Sequence, residues 1–182
     1  EIYTGLEHRN STLLMAPYYA MPNLNHSNDE DYIKLLGLIS HEFFHTWNVK
    51  RIKPQVFTPY NLEQENYTKL LWWFEGVTSY YDDLVLYRSG VIDREKYLGF
   101  ITDNLNNVYK FAGVTQQTLA NSSLTSWIKY YRQDENSPNS IVSYYVKGSL
   151  VALCLDLLIR EQSKFSLDDV MRYLFKQWQQ NP

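Results

Sequence analysis

The sequence predicts a mainly α-helical domain with a small β element near its N-terminus. Three observations predict it: apolar residues recur at helical spacing through several long segments, capping and breaking residues bound those segments, and residues 1–22 are patterned as extended chain. At 182 residues, 45% of them hydrophobic and 20% charged, the chain suits one domain. A domain of this size buries about 70% of the surface its unfolded chain exposes. Disorder and low complexity are excluded, and no internal repeat is evident.

In residues 1–22, Thr12-Leu13-Leu14-Met15 is an apolar patch closed by Ala16 and Pro17, which reads as short strands or an irregular edge. Ser27-Asn28-Asp29-Glu30 has the pattern of a capping box. It precedes Ile33, Leu35, Leu36, Leu38, Ile39 and Phe43, predicting a helix to about Val49, stopped by Pro54 and Pro59. A second helix is expected from Tyr67 to Arg88. Its interior Gly76 costs about 1 kcal/mol relative to Ala, which implies close packing or a functional constraint. A third runs from Asp93, its N-cap, to Phe111, with Gly113 as the stop. Gln116 to Tyr131 reads as shorter helical pieces and Gln133 to Ser140 as a loop. Ile141 to Arg160 is helical, and Ser166-Leu167-Asp168-Asp169 caps a last amphipathic helix carrying Val170, Leu174, Phe175 and Trp178.

Lys and Arg total 17 against 20 acidic residues, a net charge of −3 with no long block of one sign. Nucleic acid is therefore not an expected partner. The densest basic cluster, Lys50, Arg51 and Lys53, is too short for a phosphate-binding stripe and reads as a solvated helix end. The single cysteine, Cys154, lies in the apolar run Leu150–Ile159; no intrachain disulfide can form, and a buried, inert thiol is expected. The 16 Tyr and 5 Trp suit wide gaps between helices first and the walls of a ligand groove second. No stretch approaches the roughly 18 apolar residues of a membrane span, and no signal peptide is visible. The chain starts at Glu1 rather than Met, which reads as a piece excised from a longer protein; its compartment is left open.

Chemistry concentrates in His41-Glu42-Phe43-Phe44-His45. Residues i and i+4 project from one helix face, so both imidazoles can reach one ion, with Zn²⁺ expected about 2.0–2.1 Å from each nitrogen. Glu42 lies about 100° round the helix from His41. There it can take a proton from an attacking water while the metal polarises the scissile carbonyl. The alternative is a surface helix that carries two histidines without a metal. A third histidine at the extended spacing is excluded, because Asn48 and Arg51 hold the positions where that pattern requires Gly and His. A glutamate from a second helix then completes a His₂Glu site, and Glu75 in Leu71-Trp72-Trp73-Phe74-Glu75-Gly76 is the candidate. An unpaired carboxylate is costly in so apolar a segment; Zn²⁺ would offset that cost, and a salt bridge to an arginine would do the same. Asp82 lies seven residues on and can orient a metal-bound imidazole. Adjacent Asp83, or plain surface charge, is the alternative.

The segments Leu71-Trp72-Trp73-Phe74-Glu75-Gly76-Val77-Thr78 and His41 to Pro54 (HEFFHTWNVKRIKP) resemble the signatures of the glycyl aminopeptidase family of zinc metallopeptidases. These are gluzincins, distant relatives of aminopeptidase N and leukotriene hydrolase. The 29 residues between His45 and Glu75 favour the glycyl family over the aminopeptidase N relatives, whose third ligand follows sooner. The resemblance implies a thermolysin-like catalytic domain that uses Zn²⁺, held by His41, His45 and Glu75, to remove small N-terminal residues such as Gly or Ala from peptides. It makes Glu42 the general base. Gly5-Leu6-Glu7-His8 resembles the relatives' Gly-x-Met-Glu-Asn strand, with Leu6 and His8 departing from it, and assigns Glu7 to the substrate's free amine. An ammonium beside a carboxylate gains a charge-assisted hydrogen bond; an exposed carboxylate on an edge strand is the alternative. Tyr145-Val146-Lys147-Gly148 resembles Tyr-Glu-Lys-Gly and assigns the Tyr145 hydroxyl to the oxyanion, with neighbouring Tyr144 as the alternative. The family usually carries an N-terminal β domain and a C-terminal PDZ domain, so residues 1–182 are expected to be a catalytic-domain fragment lacking both. Two rival functions stay open: a zinc endopeptidase, and a catalytically incompetent binding module.

Overall fold

The computed structural model describes residues 2–22 and 30–181. It is a helical domain with one small β-hairpin, as the patterning predicts. Strands β1 (Thr4–Glu7) and β2 (Thr12–Met15) pair antiparallel, with Gly5 opposite Leu14 and Glu7 opposite Thr12. Strand alternation turns Gly5 and Glu7 toward the body of the domain and leaves Leu6 outward.

Helix α1 (Glu30–Phe44) carries Glu30 and Asp31 in its first turn, where the helix dipole favours acids. Ser27, Asn28 and Asp29 of the expected capping box lie outside the described residues. The helix ends at Phe44, short of the expected Val49. The backbone instead folds back on itself: Lys50 N–H donates to His45 O at 3.1 Å and Ile52 N–H to Trp47 O at 2.8 Å. Val49 sits at φ 109°, a conformation that β-branched residues rarely adopt. Its N–H donates to Ile52 O at 2.8 Å, one of the bonds that hold it there.

The second expected helix starts later than Tyr67. It opens with a π-helical turn, Trp72–Gly76, that leads into α2 (Val77–Arg88). Next come α3 (Arg94–Tyr109), N-capped by Asp93, then α4 (Gly113–Gln116), α5 (Leu119–Leu124) and a second π-helical turn, Ser126–Tyr130. The expected loop holds a one-turn helix, α6 (Ser137–Ser140), with Pro138 in its first turn, where a missing N–H costs nothing. Helix α7 (Val146–Gln162) starts five residues after Ile141. Val142 is instead held outside the helix by buried side chains, its carbonyl accepting from Ser122 Oγ at 2.5 Å and its N–H donating to Gln117 Oε1 at 3.0 Å. Helix α8 (Leu167–Gln180) has its Ser166–Asp169 capping box as expected.

The core lies where α2, α7 and α8 meet: Val77, Tyr80, Tyr81, Leu84, Ala152, Leu167 and Met171. Phe44 of α1 stacks on Tyr81 at 4.5 Å. Asp156 ties the three helices together, accepting from Tyr80 Oη at 2.7 Å, Leu167 N at 2.7 Å and Arg160 Nε at 2.9 Å. Gly76 and Gly148 let the first π-helical turn and α7 cross in backbone contact. A Cβ on Gly76 would sit 2.5 Å from Gly148 Cα. That crossing is the close packing the interior glycine implies. Cys154 is a correction: it is exposed, with Leu157 and Leu158 near it also outward at 56% and 49%. The inward stripe of α7 is Gly148, Ser149, Ala152 and Asp156, and two residues beyond Ala152 is the opposite side of a helix. Among the described residues, no helix is long and apolar enough to cross a membrane.

Candidate metal centre

His41 and His45 lie one helical turn apart. His45 is just past the end of α1, but its N–H still donates to His41 O at 3.2 Å, so the i and i+4 geometry holds. Their Nε2 atoms are 3.1 Å apart, and Glu75 Oε2, delivered by the first π-helical turn, lies 3.2 Å from each. Both opposite ring nitrogens are engaged: His41 Nδ1 donates to Asp82 Oδ2 at 2.9 Å, and His45 Nδ1 to Asn48 O at 2.9 Å. With protons on Nδ1, neutral rings present two Nε2 lone pairs and a carboxylate oxygen to one point. Three acceptors so placed repel unless a proton or a metal cation sits among them. The edges of the triangle match the spacing of about 3.3 Å between ligands of a tetrahedral ion with bonds of about 2.0 Å. His41, His45 and Glu75 therefore fit Zn²⁺.

Electrostatics match this geometry. Burial alone would raise the Glu75 carboxyl, but hydrogen bonds from His41 and His45 and their charges hold it down at about 2. Burial would lower His41, and the bonds to Asp82 and Glu75 outweigh it, carrying the imidazole up to about 10. A proton on His41 and a divalent cation thus compete for the same donor atoms. Asp82, rather than Asp83, makes the contact to His41. Burial next to the Asp82 charge pushes Asp83 up to about 8.

Glu42 is 7% exposed, and its Oε2 has no hydrogen-bond partner among the described residues. Burial pushes its carboxyl up, against the pull of His41 and His45. Gly5 of β1 lies against it so closely that a Cβ there would collide with the Glu42 carboxylate. Glu7 faces the same space, and ligand atoms of Glu7, Glu42 and His45 lie within 4.8 Å of one another. Its Oε1 also pairs with Lys50 Nζ at 3.1 Å. The basic cluster is therefore not a solvated helix end. Lys50 ties the hairpin to the segment after α1, and Arg51 Nη1 donates to Thr46 O at 2.6 Å and Arg9 O at 3.4 Å. The backward fold of residues 45–52 turns these side chains inward.

Of the two adjacent tyrosines, Tyr145 lines the cleft, its ring 6.2 Å from that of His41, while Tyr144 is fully buried. The cleft has a volume of about 800 Å³ and brings Glu7, His41, Glu42, His45, Glu75 and Tyr145 together. It runs on past Lys34 of α1 to Lys96 and Phe100 of α3.

Asn48 is a residue that spacing alone does not reveal. It is 0% exposed, and its Nδ2 donates to Trp73 O and Phe74 O at 3.2 Å each and to Thr78 Oγ1 at 3.1 Å. Its carbonyl holds His45 and its side chain holds the turn that carries Glu75, so one residue sets the distance between two members of the triangle. The signal in the sequence is an amide between Trp47 and Val49; its Nδ2 is satisfied in the fold, while its Oδ1 is buried without a partner among the described residues.

Residues 34–151 match the model of the M61 glycyl aminopeptidase family. Among solved structures, an aminopeptidase N family protein from Idiomarina loihiensis is 46% identical and superposes with a TM-score of 0.93, over 97% of this chain and 30% of that one. The chain thus spans less than a third of that relative. No curated protein matches it. With the family match extending over well over half of its length and including His41, Glu42, His45 and Glu75, the chain belongs to the M61 glycyl aminopeptidase family.

Proposed function

We propose that this chain is the catalytic domain of a zinc aminopeptidase that removes small N-terminal residues, Gly or Ala, from peptides. The observation that carries the reading is the donor triangle of His41, His45 and Glu75, with edges of 3.1–3.2 Å, in one cleft with buried Glu42, whose Oε2 has no partner among the described residues. Zn²⁺ bound there supplies a Lewis acid that polarises the scissile carbonyl and yields a water-derived nucleophile at neutral pH. Glu42 accepts the proton of the attacking water and returns it to the departing amine. Tyr145 donates its hydroxyl hydrogen to the carbonyl oxygen as that oxygen becomes anionic. Asp82 and Asn48 fix the ring orientation of the two histidines. Glu7 meets the substrate ammonium, sharing its charge with Lys50. The remaining domains of a longer parent chain would complete the walls of the cleft.

Free and N-acetylated forms of one Ala-initiated peptide separate this reading from an endopeptidase. A charge-assisted contact to Glu7 predicts that acetylation lowers kcat/KM in the full-length protein by roughly 10- to 100-fold. Equal rates would remove Glu7 from substrate selection and favour the endopeptidase.

A further inference from the structure

Four tyrosines cluster around Tyr145, the one among them that lines the cleft. Tyr130 ends the second π-helical turn and Tyr131 follows it, and Tyr144 and Tyr145 immediately precede α7, their rings stacked at 4.7 Å. Three of the hydroxyls join in a chain. Tyr144 Oη donates to Tyr131 Oη at 3.3 Å, and Tyr131 Oη lies 3.2 Å from Tyr145 Oη, a link in which either oxygen can be the donor.

Counting protons fixes the direction of the second link. Each phenol has one proton and two lone pairs. Tyr144 is 1% exposed, and the geometry of its contact makes it the donor to Tyr131. When Tyr145 spends its proton on the substrate oxygen, it can no longer donate to Tyr131. The 3.2 Å contact then survives as a hydrogen bond only with Tyr131 donating. The order becomes Tyr144 to Tyr131 to Tyr145 to substrate, with every O–H pointing the same way. Hydrogen bonds so aligned polarise one another, and the last donor gains most.

We propose that Tyr131 is a positioning residue for the reaction: its hydroxyl, itself held by Tyr144, fixes and polarises the Tyr145 hydroxyl as donor to the developing anion. No proton leaves its oxygen in this relay. The inference rests on the reading of Tyr145 as that donor, and the test separates the two.

The test is a double-mutant cycle of Tyr131→Phe and Tyr145→Phe in the metal-loaded full-length protein, assayed on glycine p-nitroanilide. Tyr131 is 58% exposed, so losing its hydroxyl leaves folding and metal content unchanged, checked by melting temperature and elemental analysis. Tyr145→Phe should lower kcat by roughly 10²- to 10³-fold. Tyr131→Phe should lower kcat roughly five- to tenfold with KM unchanged, because the bond matters only where the anion develops. The double variant should be no slower than Tyr145→Phe alone, since Tyr131 acts only through Tyr145. Full kcat in Tyr131→Phe, a change in KM alone, or multiplicative losses in the double variant would overturn the relay. Full kcat in Tyr145→Phe, or no turnover by the unmodified protein, would overturn the reading beneath it and the relay with it.

Discussion

Glu42→Gln in the metal-loaded protein should lose roughly 10²- to 10⁴-fold in kcat while retaining its metal. The amide matches the carboxylate in size but cannot accept the proton of an attacking water at neutral pH. Metal retention follows from the geometry, since Glu42 is not part of the triangle formed by His41, His45 and Glu75. Stability should hold or rise, because Glu42 Oε2 is buried without a partner among the described residues, and an unsatisfied charge is costly to bury. The measurement pairs steady-state kinetics with elemental analysis of the same sample. A variant that keeps its zinc and more than a tenth of wild-type kcat would remove Glu42 from the chemistry.

Gly76→Ala tests how the fold holds the site. The added carbon would meet Gly148 Cα at 2.5 Å and Gly148 C at 2.7 Å, both backbone atoms that no rotamer change can move. The π-helical turn and α7 must separate, at about 1–3 kcal/mol for overpacking. In a domain of this size that lowers the melting temperature by roughly 2–12 °C. Glu75 is the preceding residue, so its carboxylate shifts off the triangle and zinc affinity falls in the same variant. Gly99→Ala is the control: nothing lies within 4 Å of its added carbon, and it should stabilise α3 by about 0.5–1 kcal/mol. Melting curves and chelator competition read both effects. Wild-type stability and affinity in Gly76→Ala would show that the crossing is looser than the packing indicates.

Where pattern and structure agree, one physical rule acts within a single element. The i and i+4 histidines, the Asp93 and Ser166 caps and the hairpin strands are set by local geometry, and local geometry is what spacing encodes. Gly76 was legible as a cost without showing its partner, Gly148, 72 residues away. Where they differ, a long-range bond decides. The helix predicted to reach Val49 ends at Phe44 because the chain turns back to build the shelf on which His45 rests. Helix α7 starts late because Ser122 and Gln117 capture Val142. That delay leaves Tyr144 and Tyr145 at the start of the helix, one buried and one facing the cleft. Cys154 lies outward although its run is apolar, because apolar residues occupy the outward side of α7 as well as the inward one. Asn48, Lys50 and Tyr131 act through partners 25 to 43 and 13 to 14 residues away, separations at which no periodicity operates.

If three side chains converge on one metal ion, metal content is the decisive measurement. The full-length protein and its His41→Ala variant would be stripped of loosely bound ions and analysed for elements after zinc reconstitution. About one zinc per chain is expected in the unmodified protein and none in the variant, because two remaining donors do not hold the ion through stripping. An unmodified protein that takes up no metal, or a variant that keeps it, would contradict the site and favour a binding module on a peptidase fold.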